Sequence, residues 1–144
     1  MHKLETQIEI EAPAERVWSL LVDFPSHSHW NPFIPSIEGI PGIGQSLKVF
    51  IQPPGANGML FRPKVLAAEP NRELRWKGKL LLPGLFDGEH YFLLESRPGV
   101  GVTFRQGEIF TGILVPLFRR SLDGTTRQGF IAMNEALKRA AENP

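Results

Sequence analysis

Between Ile34 and Phe110 turn chemistry recurs at Pro41-Gly42, Pro53-Pro54-Gly55, Asn57-Gly58, Pro70-Asn71, Pro83-Gly84 and Pro98-Gly99. Such pairs stop helices and leave apolar-rich runs only long enough for strands, so the middle of the chain predicts a continuous antiparallel sheet of six strands. A seventh precedes them. Leu4-Glu5-Thr6-Gln7-Ile8-Glu9-Ile10-Glu11 alternates strictly, the period of a half-buried strand, with Leu4, Thr6, Ile8 and Ile10 turned inward.

Helical signals lie at the two ends. Ala12-Pro13 opens a helix with proline at its first position, where a missing N–H costs nothing. Ala14, Val17, Trp18, Leu21 and Val22 form its apolar face, with Trp18 assigned to packing, and Asp23-Phe24-Pro25 ends it. Ser26 to Pro35 reads as a short helical or irregular connection. After Phe110 the apolar residues recur in steps of three and four from Leu114 to Ala140, which predicts one long C-terminal helix, Pro116 marking its first turn. Its inward face is large near Phe118 and small at Gly129, Ala132 and Ala136. Gly124 and Gly129 each cost about 1 kcal/mol relative to Ala inside a helix, so close packing or room for something else is expected there.

Composition narrows the function classes. A net charge of +1, with Arg119-Arg120 as the densest basic cluster, offers no field for nucleic acid. The absence of cysteine excludes disulfides and cysteine-ligated metal centres. No stretch approaches the ~18 consecutive apolar residues of a membrane span, and Met1 to Gln7 lacks a signal peptide's apolar core, so integral membrane association is not expected and the cytoplasm is. The 144 residues are the size of a single domain, 1-144. Gly42-Ile43-Gly44 lacks a dinucleotide loop's third glycine, and there is no Gly-x-Ser-x-Gly, P-loop or His-Glu-x-x-His pattern. His27-x-His29 has no third ligand at useful spacing and reads as a solvated loop. No cofactor or metal is implied.

The order strand, helix, short helix, six strands, long helix resembles the START/Bet v 1-like (SRPBCC) superfamily, in particular its bacterial polyketide cyclase-like branch. The resemblance is carried by Ile8-Glu9-Ile10-Glu11-Ala12-Pro13-Ala14-Glu15-Arg16-Val17-Trp18, Asp23-Phe24 and Trp30-Asn31-Pro32-Phe33, then Glu69-Pro70-Asn71-Arg72-Glu73-Leu74-Arg75-Trp76 and Gly88-Glu89-His90-Tyr91-Phe92. Gly129-Phe130 and Met133-Asn134-Glu135-Ala136-Leu137-Lys138 complete it. It implies an α+β helix-grip fold: a curved seven-stranded antiparallel sheet around the long C-terminal helix, two short helices after the first strand, and an apolar cavity between sheet and helix. Members of that superfamily bind lipids, sterols, polyketides or hormones, cyclise polyketides, or bind protein partners such as a chaperone. A fold shared by so many activities leaves function to the site.

Alternation places side chains on the concave face. Leu74, Trp76, Gly78 and Leu80 share it, with Arg75, Lys77 and Lys79 outside; so do Gly88, His90, Phe92 and Leu94, and then Val102, Phe104, Gln106, Glu108 and Phe110. Directly paired residues of an antiparallel ladder point the same way. A hairpin pairing Ser96 with Val102 sets Phe92 against Gln106 and His90 against Glu108; one pairing Leu80 with Phe86 sets Trp76 against His90. A row Trp76, His90, Glu108 is therefore expected, unless a bulge breaks it. A carboxylate beside an imidazole can hold one shared proton near neutral pH. His90 and Glu108 are thus candidates for acid–base catalysis, with His90 moving the proton at an enolising carbon and Glu108 orienting the ring, or for satisfying each other within a polar patch.

Trp30, Phe33, Trp76, Phe92, Phe110 and Phe118 are the aromatics expected to line the pocket, with His90, Gln106 and Glu108 as its polar groups, a composition typical of ligand sites. The expected function is binding of a small hydrophobic or amphipathic ligand by a monomer or homodimer. A polyketide cyclase/aromatase-like enzyme using the His-Glu pair is one alternative. The other is a chaperone-activator type of interaction module, which would need an exposed apolar patch on the outer sheet face; Arg75, Lys77 and Lys79 argue against that patch.

Overall fold

A computed structural model describes residues 1–80 and 82–143; the side chain of Leu80, read as inward-facing, lies outside the described residues. Strand β1 (His2–Ile10) keeps its alternation, burying Leu4 and Ile10 completely while Glu5, Gln7 and Glu9 face water. Helix α1 (Ala14–Val22) begins one residue later than expected. Pro13 stands before it in extended geometry as its cap, since a φ near −65° suits both positions. Ala14, Val17 and Leu21 are buried, and Trp18 packs half-buried against the same core. Phe24-Pro25 then turns the chain through a 3₁₀ turn (Phe24–Ser26) into one turn of helix, α2 (His27–Trp30).

His27 is not in a solvated loop: it is only 1% exposed. Its Nε2 donates to the Leu21 carbonyl at 2.7 Å, and its Nδ1 accepts from Asn31 Nδ2 at 3.1 Å. Asn31 Oδ1 in turn accepts the backbone N–H groups of Phe33 and Ile34. The ring is a neutral strut holding the α2 turn; His29, beside it, is exposed. Burial is the main cause that depresses the His27 pKa below the ordinary 6.5, outweighing its backbone hydrogen bonds and Asp23. The unfolded chain therefore binds more protons than the folded one below that value. His27's contribution to stability is whole above about pH 6.5 and is lost as pH falls from there toward the depressed folded value. Urea midpoints at pH 7.5 and 5.5 should show this loss, and the difference should shrink in His27→Gln.

The strands after α2 are β2 (Ser36–Glu38), β3 (Lys48–Ile51), β4 (Met59–Phe61), β5 (Lys64–Glu69), β6 (Glu73–Leu80), β7 (Phe86–Arg97) and β8 (Gly101–Thr111). They do not make the single seven-stranded sheet expected. Among the described residues, eight strands form a five-stranded antiparallel sheet in the order β1-β8-β7-β6-β5 and a three-stranded one in the order β2-β3-β4. The division falls at Pro63, which has no N–H to give a ladder and so splits one apolar run into β4 and β5. The Pro63 carbonyl instead accepts Leu47 N–H at 2.8 Å, and a lone bridge between Ser46 and Lys64 ties the sheets together. The hairpin registers are those the alternation requires: Trp76 faces His90, His90 faces Glu108 and Phe92 faces Gln106. A register shift between Val65 and Ala67 leaves that row intact because it lies in the β5–β6 ladder.

The C-terminal helix is also interrupted. α3 (Val115–Ser121), with Pro116 in its first turn, runs through a π-helical turn (Leu122–Thr126) into α4 (Arg127–Glu142). Asp123, Gly124, Thr125 and Thr126 are weak helix formers, so little local preference resists the wider turn. α4 buries Gly129, Phe130, Met133, Asn134, Ala136, Leu137 and Ala141 on the five-stranded sheet. Gly129 leaves no hollow: a Cβ there would collide with the ring of Phe33, which occupies the space. Of the two expectations for the small-residue face, close packing holds at this position.

Candidate functional site

The concave face is solid at one end and hollow at the other. Toward Phe104, Phe92 and Leu74 the interior is filled, all three side chains being fully buried in one continuous core with Phe130, Met133 and Leu137 of α4. Toward Phe110, the interrupted helix, the small sheet and β6–β8 enclose a cavity of about 260 Å³. Trp76, His90, Glu108 and Phe110 form one wall; Val49, Ile51 and Phe61 form another. Leu122, Thr125 and Thr126 reach it from the π turn, with Phe118 above and Phe33 at its inner end. Met59 and Phe118 both line it while 41% and 40% exposed, which puts the mouth between β4 and α3.

Six of the residues expected at the site meet there: Phe33, Trp76, His90, Glu108, Phe110 and Phe118. Three do not. Phe92 lies behind Trp76 and His90, ring centroids 5.3 Å and 4.6 Å away, as part of the solid half. Gln106, fully buried, sits behind His90 and spans to α4. Trp30 packs on His27 at 4.8 Å, away from the cavity. Lys79, assigned to the outer face, contributes to the cavity wall near the end of β6. Phe86 could have been found, since it shares parity with Gly88 and His90 on β7. Val49 and Ile51, and the π-turn residues Leu122, Thr125 and Thr126, carry no comparable signal.

A polar chain runs from the cavity wall into the core. Glu108 Oε1 lies 3.0 Å from His90 Nδ1, and His90 Nε2 lies 3.0 Å from Gln106 Oε1. Gln106 Nε2 donates to Asn134 Oδ1 at 2.8 Å and to the Phe130 carbonyl at 3.4 Å. Asn134 Nδ2 donates to Thr6 Oγ1 at 2.8 Å, and that hydroxyl donates to the Gln106 carbonyl at 3.1 Å. Buried polar groups are costly unless paired, and here each has a partner. Both His90 nitrogens are engaged and its side chain is 1% exposed, whereas Glu108 is 16% exposed. Gly88 makes this possible: a Cβ there would overlap Glu108 Oε2, so the glycine lets the carboxylate lie across β7 at the cavity wall.

The convex face has another character. Arg75 bridges Glu73 and Glu89 at 2.8 Å each and lies over the Tyr91 ring. Tyr91 OH donates to Glu5 at 2.6 Å; burial first, then that carboxylate, hold its pKa well above the ordinary phenol value. Arg105–Glu95 and Arg97–Glu9 pairs extend the charged surface, which is not the apolar patch an interaction module would present.

Residues 1–142 match the family described as polyketide cyclase / dehydrase and lipid transport. No curated protein matches the chain by sequence. Among solved structures the chain is similar to a protein from Mesorhizobium loti, at 22% identity and TM-score 0.77, covering 98% of this chain and 97% of that one. It is similar to the Zhui aromatase/cyclase from a Streptomyces species, at 17% identity and TM-score 0.75, over 98% and 93% of the two chains. It is similar to Ara h 8.0201, at 18% identity and TM-score 0.72, over 99% of each. At these identities the structural likenesses speak for the fold. No helix among the described residues is long and apolar enough to cross a membrane.

Proposed function

The chain belongs to the polyketide cyclase/dehydrase and lipid transport family, and from that premise we propose that residues 1-144 act as a single domain binding one small hydrophobic or amphipathic molecule. The observation that carries this reading is the cavity of about 260 Å³, walled by aromatic and aliphatic side chains around the polar pair His90 and Glu108. An apolar enclosure with few convergent polar groups is the usual make-up of a ligand site. Lipid-, sterol- and polyketide-like molecules all have the required chemistry. Native mass spectrometry of protein purified from its own host should reveal a copurified small mass. That mass should be lost in Trp76→Ala, which removes the largest apolar wall element, and retained in Arg75→Ala on the convex face. An adduct that survives Trp76→Ala argues against this cavity as its site.

A second reading, a cyclase-like enzyme, is favoured by the 3.0 Å contact between His90 and Glu108 at the cavity wall. With both imidazole nitrogens engaged, we assign the roles in reverse of the sequence expectation: Glu108 would face the reacting molecule and His90 would supply or take its proton from behind.

A further inference from the structure

We infer that Glu108 Oε2 is a hydrogen-bond acceptor that selects ligands bearing a hydroxyl (a phenol, enol or alcohol) over those whose only polar group is a ketone, ester or ether oxygen, and that Gln106 enforces this choice. The inference rests on the reading of the cavity as a ligand site. It follows from the direction of the buried hydrogen-bond chain, which can be traced from a group of fixed polarity.

The Gln106 backbone carbonyl can only accept, so the Thr6 hydroxyl donates to it. Thr6 Oγ1 is then the acceptor for Asn134, which must present Nδ2 to Thr6 and Oδ1 to Gln106. Gln106 accordingly turns Nε2 toward Asn134 and toward the Phe130 carbonyl, a second group that can only accept. Its Oε1 is left facing His90 Nε2, which must therefore carry a hydrogen. The remaining ring nitrogen, Nδ1, meets Glu108 Oε1 at 3.0 Å. Two lone pairs would repel at that distance, so one proton lies between them, on Nδ1 or on Oε1.

Both placements leave Oε2 without a hydrogen. With the proton on Nδ1, Oε2 is half of a carboxylate; with the proton on Oε1, it is the carbonyl oxygen of a neutral acid. Adding a proton to Oε2 would create a buried imidazolium with no counter-charge beside it, which is strongly disfavoured. Oε2 has no hydrogen-bond partner among the described residues, and it lies over Gly88 at the cavity wall. A ligand hydroxyl satisfies it. A ligand carbonyl or ether oxygen sets one acceptor against another and leaves both desolvated.

Removing the Gln106 carboxamide breaks the constraint. His90 can then carry its hydrogen on Nδ1 and donate to Oε1, which frees a neutral Glu108 to hold its proton on Oε2 and point it into the cavity. The acceptor becomes a donor with no change in the number of protons.

Calorimetric titration with three bicyclic probes tests this: 2-naphthol, 2-methoxynaphthalene and 2-acetylnaphthalene. The native protein should bind the naphthol at least about tenfold more tightly than either hydroxyl-free probe, the size expected for a hydrogen bond to a charged or strongly polar acceptor. Glu108→Leu should bring the three affinities together. Gln106→Leu should raise acetylnaphthalene affinity to within a few-fold of the naphthol. If that variant does not fold, Gln106→Met, which keeps the side chain's length but also lacks the carboxamide, should have the same effect. Equal binding of the three probes by the native protein, a preference for the ketone, or a hydroxyl preference that survives Glu108→Leu would overturn the inference while leaving the cavity reading in place. Undiminished discrimination in Gln106→Leu, or in Gln106→Met where that variant stands in for it, would overturn the role of Gln106. Binding of none of the probes would instead overturn the cavity reading beneath it.

Discussion

Phe130→Ala should lower the unfolding free energy by about 3–5 kcal/mol, the range for deleting a fully buried aromatic ring. Phe130 is completely inaccessible and sits where α4 meets the sheet between the hollow and the solid half. Its ring meets Phe33 edge-on at 5.4 Å and His90 at 5.0 Å. Phe33 is itself pinned by the close approach of Gly129, so the neighbours have little freedom to collapse into the vacated space. The loss should appear as a lower urea midpoint with an unchanged slope. Phe118→Ala provides the contrast. Its ring is 40% exposed at the mouth, and its deletion should cost much less. If the two variants lose similar amounts, the division of the interior into a packed and an open half is wrong.

Gln106→Leu should be nearly as damaging for a different reason. Leucine has a similar volume, so little packing is lost, but His90 Nε2 and Asn134 Oδ1 are left without their partner in a region closed to water. Each orphaned group costs roughly 1–3 kcal/mol. The signature of this mechanism is non-additivity. Asn134→Leu alone strands Gln106 Nε2, leaving it only the longer contact with the Phe130 carbonyl. In the double variant donor and acceptor leave together, so its loss should fall clearly short of the sum of the singles. Strict additivity would mean that the two amides act independently and that the chain has no direction to impose on His90.

Much of this site can be read from residue parity. Once Ser96 is opposed to Val102 and Leu80 to Phe86, the row of Trp76, His90 and Glu108 follows, and the observed ladders carry that pairing without a bulge between β6, β7 and β8. Parity tells which face a side chain occupies and nothing of how much of that face is covered. That is why Phe92 and Gln106, on the correct side, prove to be fully buried, Phe92 among Trp76, His90 and Phe104 and Gln106 against α4, rather than open to the cavity. Trp30 was misplaced because nothing in its neighbourhood signals that His27 is a buried strut which draws the indole toward itself. The second sheet is hidden because Met59 to Glu69 reads as one run, Pro63 lying inside it with no neighbouring glycine or asparagine to mark a turn. Only its carbonyl's bond to Leu47 shows that the strand divides and continues on both sides.

The π-helical turn at Leu122–Thr126 has a consequence for how this protein can vary. Each residue advances an α-helix by about 100°, so a turn that absorbs one extra residue puts α3 and α4 out of phase. Phe118 faces the hollow through one phase, whereas Phe130 and Met133 face the sheet through the other. Closing the wide turn into regular α-helix without removing a residue would swing the upstream segment by about 100° around its axis, carrying Phe118 off the opening while every strand stayed in place, whereas deleting one residue along with the wide turn would leave both faces where they are. The width of the cavity mouth can thus be retuned by whatever favours or closes the wide turn in one short stretch of the chain, independently of the β-scaffold that carries the polar groups.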